Sequence, residues 1–206
     1  AVYTVVTTSV AVATASTVTQ TRTVSILGIP MQQRKLAFLL DNSGSMADEG
    51  RLAEVRGAMK VVLASLDENH QIDLMTFCTA ADKTPVLTAL WGGLTAFTPP
   101  RREQAVTFLM NLAPSNGTPT VAAVSNAFAL YPDAEALVLI SDGEPTDFDP
   151  YGVQWERAVT AIERSNTRRV PIYTIGVGPR MRNPRHAGRR FMERLSLTSR
   201  AASTSF

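Results

Sequence analysis

From residue 34 onward the chain alternates between short unbroken apolar runs and apolar positions spaced three and four apart. Leu36-Ala37-Phe38-Leu39-Leu40 and Ala136-Leu137-Val138-Leu139-Ile140 contain no polar break, as strands covered on both faces require. Ile72 to Cys78, Val86 to Trp91 and Val170 to Val177 predict further strands. Gly92-Gly93 ends the second of these, and Gly176 and Gly178 end the third. Leu52, Val55, Met59, Val62 and Leu66 lie on one face of a helix. Ala105, Phe108, Leu109 and Leu112 form a second stripe, and Val121, Val124 and Phe128 a third. Trp155, Ala158, Val159 and Ile162 form a fourth, and Phe191, Met192 and Leu195 predict a last helix. Strands alternating with helices predict an α/β fold: a doubly wound, mostly parallel sheet flanked by helices on both faces.

Residues 1–30 follow a different rule. They hold eight Thr, seven Val, four Ala and three Ser, with Arg22 as the only charge. β-branched residues favour extended backbone. A period of two places Val10, Val12, Val18, Val24 and Ile26 on one face. This predicts a β-rich arm over residues 1–33, able to pair on a sheet edge or with another copy of the chain. A low-complexity linker is the competing reading.

Composition narrows the functions. The 206 residues are 45% hydrophobic and 18% charged, a globular balance that allows one domain plus an arm. No stretch reaches the roughly 18 apolar residues of a membrane helix. The chain opens at Ala1 rather than at a methionine, which fits removal of a leader or anchor. The single cysteine, Cys78, excludes an intrachain disulfide framework and a cysteine zinc site. The formal charge of +2 excludes a strongly basic nucleic-acid binder. That figure averages two unlike parts. Residues 1–178 carry 13 basic and 17 acidic groups, a net of −4; residues 179–206 carry seven arginines against Glu193, a net of +6. The basic end reads as solvated surface or as a dock for an acidic partner.

The two unbroken strands end alike, the first in Asp41-Asn42-Ser43-Gly44-Ser45 and the second in Ser141-Asp142-Gly143-Glu144. Doubly wound sheets bind ligands beyond the carboxyl ends of their strands. If these strands are neighbours, both aspartates enter one crevice. Asn116-Gly117-Thr118-Pro119-Thr120 opens another helix and adds a hydroxyl from a third loop. Asp41, Ser43, Ser45, Thr118 and Asp142 are an all-oxygen donor set, suited to Mg²⁺, Mn²⁺ or Ca²⁺ rather than zinc.

These positions resemble the metal-ion-dependent adhesion site of von Willebrand factor A-type domains, the integrin inserted-domain fold. Its pattern is D-x-S-x-S, then a Thr, then an Asp. The first falls on Asp41, Ser43 and Ser45, the Thr on Thr118 and the Asp on Asp142. The resemblance covers residues 34–198 and leaves 199–206 as a tail. It implies a Rossmann-like fold and an ion held by those five residues. It further implies a protein partner whose acidic side chain completes the ion's coordination, and binding rather than catalysis. It also implies a final helix, near Phe191–Leu197, able to shift between affinity states. The arm resembles the Val/Ala/Thr stretch that precedes the A-type domain of Tad-type pilus-assembly proteins. That likeness implies a surface or pilus-type assembly outside the cytoplasm; a cytoplasmic partner of an AAA+ ATPase is the other setting left open.

Competing readings are specific. Asp-x-Ser-x-Ser alone also fits a helix N-cap. A D-x-D phosphotransferase lacks its second carboxylate here, because position 43 is Ser. A serine hydrolase lacks both G-x-S-x-G and a placed histidine. Asp48 and Glu49 read as first-turn helix charges, Asp147 and Asp149 as solvated loop acids, and Glu144 as a cleft group near the ion. Thr120 reads as either a supporting hydroxyl or a plain helix residue. Cys78, Trp91 and Trp155 read as core, and His70 as a solvated connection.

Overall fold

In the computed structural model, which describes residues 24–26, 29–149, 154–199 and 203–205, a central sheet carries helices on both faces. In chain order, β1 (Val24–Ile26) and β2 (Ile29–Met31) form an antiparallel hairpin. β3 (Lys35–Asp41) leads through a 3₁₀ segment, Gly44–Gly50, into α1 (Arg51–Ser65) and β4 (Gln71–Thr79). Next come β5 (Pro85–Ala89), β6 (Thr95–Ala96), α2 (Pro99–Met110), α3 (Thr120–Leu130) and β7 (Ala136–Ser141). The chain continues as α4 (Trp155–Ser165), β8 (Ile172–Gly176), a 3₁₀ turn at Pro179–Arg182, α5 (Ala187–Thr198) and β9 (Ser203–Ser205).

The main sheet runs β5-β4-β3-β7-β8-β9, with β6 also pairing β4. β3, β4, β7, β8 and β9 are parallel, and only β5 and β6 run against them. The chain leaves β3 for β4 on one side and reaches β7, on the other side, only later. That reversal is the topological switch point where such sheets open a crevice. Register places the two key strands level: Leu36 pairs with Ala136 and Leu40 with Ile140. Asp41 and Ser141 therefore leave the sheet together.

The unbroken apolar runs have a physical cause: both faces of β3 and β7 are covered. Leu36, Phe38, Leu40, Val138 and Ile140 face α1, α2 and the hairpin residues Ile29 and Met31. Ala37, Leu39, Leu137 and Leu139 face α3, α4 and α5. All nine strand residues are fully buried. Each such Leu, Ile or Phe contributes roughly 2 kcal/mol on leaving water, so the strand ends stand on a stiff base.

Several elements differ from the sequence reading. The arm's alternation from Val10 to residue 23 lies outside the described residues, and Val24–Ile26 forms β1. β9 pairs with β8 inside the segment expected as a tail. α3 buries Ala123, Val124 and Ala127, whereas Val121 and Phe128 are only partly covered. Asp48 lies in the 3₁₀ segment before α1, not in that helix's first turn. His70 is buried, 6% exposed, with Nδ1 2.7 Å from Asp67 Oδ1; its carbonyl accepts the Phe97 N–H. The connection closes over the ring instead of leaving it in water. Trp155 and Cys78 are buried as expected, while Trp91 is half-buried and donates its indole N–H to Gln104. Among the described residues no helix is long and apolar enough to cross a membrane.

Candidate metal centre

Asp41 closes β3 with its side chain fully buried. Oδ1 accepts the Ser43 N–H at 2.8 Å, and Oδ2 accepts the Ser141 hydroxyl at 2.6 Å. Ser141 in turn accepts the Gly143 N–H at 2.9 Å, so one hydroxyl links the ends of both strands. Burial, and then the charge of Asp142, push the Asp41 carboxyl up from 3.8 to about 7, against the pull of the Ser141 and Ser43 hydrogen bonds. Two carboxylates sharing a dry site resist joint ionisation.

Backbone bonds weld the three loops that carry the other donors. Gly44 N–H donates to Asn116 O at 2.6 Å, Ser115 N–H to Asn42 O at 2.8 Å, and Ser43 bridges Ser115. Thr118 N–H donates to Thr146 Oγ1 at 2.8 Å, and Thr146 N–H returns to Thr118 O at 2.9 Å. The Ser43, Thr118 and Asp142 loops thus form one rim. Ser43 and Ser45 bring their hydroxyl oxygens within 3.2 Å of each other. Ser43 and Thr118 are buried, and Ser45 is half-buried. Thr120 is buried with Oγ1 lacking a hydrogen-bond partner.

Asp142 is 2% exposed, and its two oxygens are treated differently. Oδ2 takes Nη1 of Arg51 at 2.7 Å, while Oδ1 is buried without a hydrogen-bond partner. Arg51, the first residue of α1, also donates from Nη1 to Ser45 O at 3.0 Å. This arginine is only 1% exposed and is among the largest fully buried side chains. It stands just ahead of the apolar stripe that begins at Leu52, and nothing in that stripe singles it out. The available signal was electrostatic, since a cation in a helix's first turn opposes the macrodipole and needs a local reason.

The other predicted acids divide. Asp147 is half-buried and accepts the Val121 and Ala122 N–H groups, so it closes the amino end of α3 instead of standing in solvent. Burial raises its carboxyl, opposed by those amides. Glu144 pairs with Arg180 at 3.2 Å and His186 at 3.0 Å. It thereby holds the Asp142 loop to the arginine-rich segment before α5. Gly143, at φ 78°, meets Gly188 backbone to backbone: a Cβ on Gly188 would stand 2.5 Å from Asp142 O.

Among the described residues no group of three His, Cys, Asp or Glu gathers around one point. The donor set is two carboxylates with hydroxyls. An oxygen-seeking divalent ion fits it on the buried Asp142 Oδ1, which has no hydrogen-bond partner, and on the Asp41 carboxyl, raised by burial and then by the charge of Asp142.

The fold is a doubly wound α/β domain with a buried cluster of acids and hydroxyls at its switch point. The sequence model for the von Willebrand factor type A domain matches residues 35–204, and the chain belongs to that family. No curated protein sequence matches it. Among solved structures it is similar to a von Willebrand factor type A protein from Catenulispora acidiphila, with TM-score 0.62 and 16% identity over 90% of this chain and 40% of that one. It is similar to the manganese-loaded TRAP protein of Plasmodium vivax, with TM-score 0.57 and 18% identity over 79% of this chain and 62% of that one. It is also similar to the pilus adhesin SpaC of Lactobacillus rhamnosus GG, with TM-score 0.62 and 13% identity over 84% of this chain and 28% of that one. The chain spans less than two thirds of each of these three proteins.

Proposed function

We propose that the protein is a divalent-metal-dependent protein-binding module of the adhesion or assembly kind. Asp41, Ser43, Ser45, Thr118 and Asp142 would hold Mg²⁺, Mn²⁺ or Ca²⁺, with water completing about six positions around Mg²⁺. The observation that carries this reading is the pairing of two buried carboxylates on level, adjacent strand ends, with Asp142 Oδ1 unbonded. A bound ion supplies a Lewis-acid position for a partner's carboxylate. Ser141 and the Ser43 amide orient Asp41, and Arg51 orients Asp142. Burial and the charge of Asp142 raise the Asp41 carboxyl, and a cation held there would favour its ionised form. A groove beside the rim, lined by Thr79, Lys83, Asn116, Pro119, Asp147 and Phe148, would take the residues flanking that carboxylate and set specificity.

A pilus adhesin among the similar structures supports a surface setting outside the cytoplasm, and the manganese-loaded TRAP structure supports a divalent ion. The family and the adhesin likeness support recognition rather than turnover. Calorimetric titration of the chain with Mn²⁺ and Mg²⁺ tests it. Binding by the wild type and its loss in Asp142→Ala and Asp41→Ala are expected, followed by partner capture that EDTA abolishes. A wild-type chain that takes up neither ion overturns the reading.

A further inference from the structure

We propose that Arg51 is a resident counter-cation of the Asp41/Asp142 crevice: it stabilises the site before an ion arrives and weakens the ion's binding. The inference rests on the metal-binding reading and goes beyond it.

The placement of Arg51 is built, not incidental. Its guanidinium lies 2.7 Å from Asp142 Oδ2 and 3.0 Å from Ser45 O, so one group touches two of the residues that would surround the ion. Room for the side chain comes from Gly178, at φ 91°, where a Cβ would stand 2.8 Å from Arg51 Nε. The Gly178 N–H donates to Glu54 Oε2 at 3.0 Å, which anchors that backbone to α1. Two costs oppose the position: a cation in a helix's first turn, and a guanidinium removed from water. The Asp142 carboxylate and the Ser45 carbonyl oppose both.

Charge arithmetic gives the sign of the effect. Asp41 and Asp142, when ionised, carry −2; with Arg51 the three groups carry −1. A divalent ion then leaves +1 instead of neutrality. Coulomb energy scales with the product of charges, so at equal distance Arg51 repels a divalent ion twice as strongly as it attracts Asp142. Orienting Asp142 does not outweigh that repulsion.

The test titrates Mn²⁺ alone into the full chain as wild type, R51M and R51K, by calorimetry and by the paramagnetic signal of unbound Mn²⁺. Thermal unfolding is followed with and without the ion. R51M is expected to bind Mn²⁺ roughly tenfold tighter or more, as removal of a neighbouring unit charge requires. Its melting temperature is expected to be lower without Mn²⁺ and to rise further with Mn²⁺ than that of the wild type. R51K keeps the charge and is expected to stay within about threefold of wild-type affinity. A purely packing role would weaken ion binding, so unchanged or weaker binding by R51M overturns the proposal, as does R51K binding as tightly as R51M. An R51M chain that folds only with Mn²⁺ supports it, and one that fails to fold in either condition overturns it. If the wild type binds and R51M gains nothing, this inference alone falls. If no form binds Mn²⁺, the metal reading falls with it.

Discussion

Asp73 on β4 and Asp41 on the adjacent β3 are both buried to 0% exposure, yet the chain completes them differently. Asp73 Oδ1 accepts the Leu74 and Trp91 N–H groups at 2.8 and 3.1 Å. Its Oδ2 accepts the Gly93 N–H at 2.9 Å and the Tyr131 hydroxyl at 3.2 Å. Four donors fill one carboxylate and pin the Gly92-Gly93 turn to the sheet. Burial raises this carboxyl, and burial with the Asp73 charge raises the Tyr131 hydroxyl. At the crevice, Asp41 has one donor on each oxygen, and Asp142 leaves Oδ1 unbonded beside a second carboxylate. A saturated buried acid is a structural rivet. At the crevice one carboxylate oxygen, Asp142 Oδ1, is left open, and it is the position that the proposed ion would fill, the socket of the comparison.

Breaking the rivet gives the largest effect. Asp73→Ala strands several buried donors and is expected to cost about 4 kcal/mol in urea unfolding, at about 1–3 kcal/mol for each group left unsatisfied. Mn²⁺ leaves that deficit unchanged; a deficit that Mn²⁺ repairs would show that the two acids are not distinct in kind. The socket shows itself next, through pH. The Asp41 carboxyl lies at about 7 in the fold against 3.8 unfolded, so between these values the native state holds a proton that the unfolded chain has released. Without divalent ions, stability is therefore expected to fall as pH rises from about 4 to about 7, and to level off above, by on the order of 4 kcal/mol. Urea midpoints across that range measure it, and a flat profile removes the repulsion argument.

Asp41→Asn sharpens the contrast by separating stability from binding. It abolishes the pH slope and the Mn²⁺ heat, while metal-free stability near neutral pH is expected to change by less than about 1 kcal/mol, because repulsion is lost along with the charge. The smallest effect belongs to a third kind of acid. Asp147→Ala removes the acceptor for the Val121 and Ala122 amides and is expected to cost about 1 kcal/mol of thermal stability with Mn²⁺ affinity unchanged.

These acids also show where the sequence was readable. Asp41 and Asp142 follow unbroken apolar runs, and such runs leave few alternatives to buried parallel strands, so strand, register end and carboxylate were visible together. Asp73 sits inside a run that reads as plain strand. Its partners Trp91, Gly93 and Tyr131 are up to 58 residues away, and no local spacing announces them. Asp147 looks like a loop acid because the helix it closes begins 27 residues earlier, at Thr120. Arg51 was hidden by its surroundings: an arginine heading an amphipathic helix is ordinarily solvated, and only the folded crevice supplies the carboxylate that draws it inward. The strands β6 and β9, of two and three residues, are too short to leave a period. Local pattern carries what neighbours in sequence decide, and it is silent on bonds closed by distant loops.

The contact between Gly143 and Gly188 has a mechanical consequence. With no side chain on either residue, the first turn of α5 rests directly on the peptide that bears Asp142, and nothing compressible lies between them. Any side chain at either position would force the first turn of α5 off the Asp142 peptide, so the seating of that turn depends on two absent methyl groups.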